Sequence, residues 1–143
     1  MTLSSVVSRL SPALVLALGL SLSACGGEQE ASCLVGSEQF RTELFFGLSR
    51  ENAEPITDAE FRSFIDTAVT PRFKDGLTTY DAYGQYLMEN GILIHENSKI
   101  ILLLHDGSAA RSADINAIRE EYKQRFNQES VLRLDSSSCV AFD

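Results

Sequence analysis

Three groups of residues in this 143-residue chain have types and spacings that could do chemistry. Arg41 and Glu43 lie two apart in the alternating stretch Gln39–Leu48, and Arg133 lies in the alternating stretch Val131–Asp135. On neighbouring strands these three would share a face and could hold a carboxylate or another anionic ligand through a two-pronged guanidinium contact. They could equally form a cross-strand ion pair that neutralises a sheet face, including one inside a dimer interface. His95 and His105 are the two histidines, next to Glu96 and Asp106, and could bind a metal or move protons. No HExxH or CxxC spacing supports a metal, and a polar residue at a strand end needs no ligand to explain it. Tyr80, Tyr83 and Tyr86 cluster around Gly84 and could meet a small organic ligand or a partner, or simply pack an outer strand on a helix end. Arg72, Lys74 and Asp75 could line the same end of the sheet, although a turn also accounts for them. There is no nucleophile elbow, phosphate loop or dinucleotide fingerprint, so no cofactor, metal or catalytic residue is expected and binding leads over catalysis.

These residues need a scaffold, and the patterning supplies one. Gln39–Leu48 alternates Phe40, Thr42, Leu44 and Phe46 against Arg41, Glu43 and Phe45, which reads as a strand. Thr57-Asp58-Ala59-Glu60 is a capping box, followed by Phe61, Phe64, Ile65, Ala68 and Val69 at helical spacing until Pro71 ends the helix near Thr70. Leu77–Tyr83 reads as a strand, with Gly84 suggesting a bulge or bend. Gln85–Met88 and Ile92–His95 flank Glu89-Asn90-Gly91, a hairpin turn, and the returning arm leads into Lys99–His105, apolar enough for a central strand. A second helix is predicted over Ala110–Phe126 with Ile115, Ile118 and Tyr122 inward and a Glu121–Arg125 pair outward. Val131–Asp135 is the last strand.

The order β-α-β-β-α-β predicts an α+β, ferredoxin-like sandwich, a four-stranded antiparallel sheet in the order 4-1-3-2 with two helices on one face. Parity then assigns Arg41, Glu43, Phe45, Lys99, Ile101, Leu103, His105, Val131, Arg133 and Asp135 to the opposite face, provided that Phe40 and Leu44 pack on the helices. A face mixing charge with so much apolar surface should be covered by something.

Residues 1–24 read as a secretory signal: Arg9, then the apolar run Leu10–Leu22, too short for a permanent span. Leu22-Ser23-Ala24-Cys25 resembles the lipobox of bacterial lipoproteins, which implies lipidation at Cys25. At about 0.8 kcal/mol per buried CH₂, several acyl chains make a stable anchor. Residues 25–38 then hold the lipidated cysteine and a flexible tether, most clearly Gly26–Ser32, and 39–143 one domain. By resemblance to enterobacterial lipoprotein sorting, Gly26 rather than Asp after the cysteine favours the outer membrane, with the domain facing the periplasm. Without Arg9 the formal charge of −8 becomes −9, which argues against nucleic acid and against adhesion to anionic lipid. The membrane is therefore met through the lipid alone. With Cys25 consumed, Cys33 and Cys139 remain, in a compartment where disulfides persist. In the expected topology the start of strand 1 lies beside the end of strand 4, which would bring them together.

Following the lipobox, the segments RTELFFGLSR, TPRFKDGLTTYDAYGQY, ENSKIILLLH and YKQRFNQESVLRLDSSSC resemble a family of bacterial lipoproteins known as domain of unknown function 3574, over essentially Glu38–Phe142. The resemblance implies an envelope location and carries no activity or catalytic residue with it. The expected function is a binding or interaction module using the open sheet face, with a homodimer or an envelope protein as partner. The alternative is a small-molecule-binding protein or small enzyme of the dimeric α/β-barrel type. Under either reading the candidate residues are Arg41, Glu43, Phe45, Tyr80, Tyr83, His105 and Arg133.

Overall fold

In the computed structural model, which describes residues 33–142, strand β1 (Ser37–Gly47) is a central strand as expected. Helix α1 (Asp58–Phe64) follows, continued by a π-helical turn over Ile65–Val69. Then come β2 (Thr78–Leu87), β3 (Leu93–His105), α2 (Ala109–Phe126) and β4 (Leu132–Val140). The strands are antiparallel in the order β2-β3-β1-β4, the ferredoxin-like arrangement of an α+β sandwich. The predicted signal sequence, lipobox and most of the tether lie outside the described residues. No helix among the described residues is long and apolar enough to cross a membrane.

Local chemistry explains the boundaries. At α1 the Thr57 hydroxyl accepts from the Glu60 amide at 3.3 Å and the Glu60 carboxylate accepts from the Thr57 amide at 2.9 Å, the reciprocal cap expected. Helix α2 starts on the Ser108 hydroxyl and ends on Asn127, left-handed at φ 54°. In the β2–β3 turn Gly91 takes φ 82° while the Asn90 side chain accepts from the Ile92 amide at 3.0 Å. Gly84 makes no bulge: Tyr83, Gly84 and Gln85 pair in unbroken register with Asn97, Glu96 and His95. Strand β4 runs on through Ser136–Ser138 because β1 pairs with it as far as Ser37 opposite Val140. The Cys33–Cys139 disulfide, with Cα atoms 5.5 Å apart, closes that edge.

The core lies between the sheet and the helices. Leu44 and Phe46 of β1, Ile101 and Leu103 of β3 and Val131 meet Phe61, Phe64, Ile115, Ile118, Tyr122 and Phe126, all of them buried. Phe46 is central, its ring 4.6 Å from Tyr122, 5.6 Å from Phe61 and 5.7 Å from Phe64, each edge to face. The Tyr122 hydroxyl donates to the Gly47 carbonyl at 2.8 Å. The buried cluster lies wholly between Leu44 and Val131, so the compact unit Ser32–Asp143 contains its own core.

Candidate functional site

Register decides which residues share a face. Leu44 stands opposite Ile101 and Arg133, Thr42 opposite Leu103 and Asp135, and Phe40 opposite His105. Because Leu44 and Thr42 are fully buried, their partners lie on the helix side of the sheet. The assignment of Lys99, Ile101, Leu103, His105, Val131, Arg133 and Asp135 to the open face is therefore corrected. Lys99 belongs to the same side, reaching Asp58 of α1 at 2.7 Å and Asp81 of β2.

The open face instead carries Arg41, Glu43 and Phe45 of β1, Ile100, Leu102 and Leu104 of β3, Leu132 and Leu134 of β4, and Tyr80 and Tyr86 of β2. Leu132 and Leu134 are 61% and 51% exposed, and half-buried Phe45, Leu102 and Leu104 add apolar surface on either side of Arg41 and Glu43. At its centre Glu43 accepts from Arg41 Nη2 at 2.8 Å and from the Tyr80 hydroxyl. The Tyr80 hydrogen bond, joined by Arg41, holds the Glu43 carboxyl below its usual range, while Glu43 pushes the Tyr80 hydroxyl up. The cluster is thus one anion, one cation and a neutral phenol. The Nε of Arg41 is buried with no hydrogen-bond partner among the described residues. A buried orphan donor of this kind costs about 1–3 kcal/mol.

Of the candidate residues, Arg41, Glu43, Phe45 and Tyr80 therefore share this face, whereas Tyr83, His105 and Arg133 do not join them. The tyrosine cluster is also corrected: two strand positions apart is one face and three is the other, so Tyr83 points away from Tyr80 and Tyr86 and stacks on His95 at 5.7 Å. Among the described residues no group of histidine, cysteine or carboxylate side chains is placed to hold a metal.

Under the sheet lies a polar chain that alternation did not reveal. The Gly107 amide donates to His105 Nδ1 at 3.1 Å, which leaves the proton on Nε2, 2.9 Å from Thr42 Oγ1. Thr42 in turn donates to Asp135, which Arg133 also holds at 2.9 Å, and Arg133 reaches Ser112 of α2 at 3.1 Å. The chain has one direction, from amide to carboxylate, and both His105 nitrogens are occupied. It is suited to locking β1, β3 and β4 together rather than to attacking a substrate, since Thr42 is fully buried. Burial lowers the His105 pKa despite the pull of Asp135. Burial would raise Asp135, but Thr42 and Arg133 hold its carboxyl below the usual range.

These shifts set a pH response. The unfolded His105 takes up its proton near pH 6.5 and the folded one only below that. Stability should therefore be full above about pH 6.5, decline as the pH falls through the interval down to the folded value, and flatten below it. Asp135 adds a second decline, beginning near its unfolded pKa of about 4 and continuing through its lower folded one. Chemical denaturation at a series of pH values should show both steps in the native chain, and His105→Gln should lack the first. An unchanged slope just below pH 6.5 in that variant would remove His105 from this account.

Solved structures with the same architecture include a phage SAM lyase in complex with S-methyl-5′-thioadenosine, at 23% identity and a TM-score of 0.51, covering 74% of this chain and 85% of that one. A phage SAM lyase in the apo state gives 20% identity and a TM-score of 0.55 over the same shares, 74% and 85%. CutA from Synechococcus elongatus gives 14% identity and a TM-score of 0.47, covering 75% of this chain and 86% of its own. At these identities the SAM lyase structures speak for the fold alone. No curated protein is significantly similar in sequence. Residues 41–142 match the family described as "Protein of unknown function (DUF3574)", a span that begins at the open-face Arg41 and takes in β2, β3, both helices and β4. The chain belongs to the DUF3574 family.

Proposed function

We propose that this protein is a lipid-anchored component of the bacterial envelope, held at the outer membrane and facing the periplasm, whose domain works by association through the open sheet face with a second copy of itself. The observation that carries this reading is the apolar surface of Leu102, Leu104, Leu132, Leu134 and Phe45, with the orphan Arg41 Nε beside it. A second copy fits the charge. The chain as a whole is strongly acidic, but at the centre of this face Arg41 is paired with Glu43, and the further carboxylate, Glu96, lies toward the far end of β3. Anchoring would favour the pairing further, because tethered copies meet at a raised effective concentration.

Sedimentation equilibrium on the Ser32–Asp143 unit should give a dimer. Leu134→Asp should give a monomer with unchanged circular dichroism, because that side chain is half exposed and lies outside the core. A native domain that stays monomeric at its highest soluble concentration would count against the pairing. Intact mass of the membrane-extracted chain reads the anchor separately, and an unmodified Cys25 would remove it.

A second reading, small-molecule binding, is favoured by one observation: a cleft of about 770 Å³ at the end of the sheet where β1 and β2 begin and β3 ends. That is within the range of sites that bind small organic ligands.

A further inference from the structure

The cleft has a floor and a rim of different chemistry. The His105 ring stacks on Phe40 with centroids 6.0 Å apart, and Phe73 meets its other flank edge to face at 6.4 Å. Phe40 is nonetheless 50% exposed, and Phe142, beyond β4, also lines the cleft. The turn after β3 is shaped to this floor: Gly107 takes φ 71°, and a Cβ there would lie 2.2 Å from the Phe40 ring. Only glycine lets the backbone rest on that aromatic face.

The rim is acidic. Glu38, Asp75 and Asp106 line the same cleft as these rings. The Ser108 amide and hydroxyl hold Asp106 below its usual pKa, so it is ionised at neutral pH. Glu38 and Asp75 form no ion pair among the described residues. The one lining cation among the described residues, Arg111, is already engaged: it donates to the Arg72 carbonyl at 2.6 Å, pairs with Asp114 at 3.4 Å and lies over the Phe73 ring at 5.3 Å. An anionic ligand would meet three carboxylates and a guanidinium turned to other partners. A cationic ligand would meet the half-exposed Phe40 ring and the carboxylates that line the cleft, the combination that recognises substituted ammonium groups.

We propose that this cleft is a binding site for a small organic cation carrying an apolar body, with Phe40, backed by His105, contacting the apolar part and Asp75 and Asp106 the charge. The inference rests on the small-molecule reading and names the ligand class. His105 backs the Phe40 ring there and offers no polar contact, since both of its nitrogens are bonded inside the protein.

Choline and its uncharged carbon isostere 3,3-dimethylbutan-1-ol separate charge from shape, and titration of the Ser32–Asp143 unit followed by amide NMR shifts reads both. Choline should shift the amides of Phe40, Asp75 and Gly107 and bind at least about tenfold tighter than the alcohol, with charge contributing through both the rings and the carboxylates. Asp75→Asn, at an exposed turn where the fold does not depend on it, should reduce that preference several-fold. Phe40→Leu should weaken both compounds. Equal binding of the two would overturn the cation inference and leave the small-molecule reading standing. No shift from either compound would overturn both. Shifts confined to Leu132 and Leu134 would place the ligand on the open sheet face and likewise overturn the inference.

Discussion

Replacing Cys33 and Cys139 together by serine should lower the stability of the domain by about 4–5 kcal/mol, the chain-entropy value for a loop of this length and an upper figure. The bond joins residues 106 apart, so its closure constrains almost all of the described chain when unfolded. Its effect on the folded state is smaller. Glu38 pairs with Cys139 and Ser37 with Val140 in the β1–β4 ladder, so hydrogen bonds hold that edge with or without the sulfurs. Most of the loss should therefore arise from a freer denatured chain, and two measurements distinguish the cases. Urea denaturation of the serine pair should show a lower midpoint and an m-value at least as large as the native one. Amide spectra should change only near Cys33–Ser37 and Ser138–Val140. A stability change below about 1 kcal/mol would show that the denatured chain is already compact enough to make the link redundant. Widespread spectral change would show instead that the bond shapes the native sheet.

The two strands that misled the face assignment show what a sequence can and cannot display. In β1, aromatic and aliphatic residues alternate with Arg41 and Glu43, so both its faces and its central position are legible. In β3, Ile100–Leu104 is apolar at every position because helices cover one side and the apolar open face takes the other. Such a run declares that it is central and says nothing about which residues point where. Only the pairing of Leu44 with Ile101 settles that, and pairing is a tertiary fact.

In β4 the charges themselves were the false signal. Arg133 and Asp135 alternate with Leu132 and Leu134 as though the leucines faced the core, yet the leucines are exposed and the charged pair lies beneath the sheet. Arg133 can do so because its long side chain reaches Ser112 and Asn116 of α2 at the margin, where a guanidinium can be both paired and partly wet. Inverted polarity on an edge strand, uncovered among the described residues, fits the association proposed for this face. The cleft was not legible for a related reason: Phe40, Phe73, Asp75 and His105 come from three connections and strand ends that only the closed sheet brings together.

The neighbours Phe45 and Phe46 turn this face assignment into an energetic test. Phe46→Ala should cost about 3–5 kcal/mol, since its fully buried ring is the hub on which Phe61, Phe64 and Tyr122 pack and its removal leaves a cavity in the centre of the core. Domains of this size are commonly stable by about 5–15 kcal/mol, so the loss could unfold a substantial fraction of the molecules. The aromatic hub cannot collapse easily into the gap, because the Tyr122 hydroxyl is pinned to the Gly47 carbonyl. Phe45→Ala, one residue earlier, removes an equal volume from the half-buried open face, where solvent fills the space. In the monomer its cost should be about 1 kcal/mol, as for substitutions away from the core. The same change should weaken self-association if a second copy covers that ring. Thermal denaturation of both variants in the Leu134→Asp background separates folding from association. Equal costs for the two phenylalanines would mean that β1 is buried on both sides within one chain, and the open face, with the association built on it, would have to be given up.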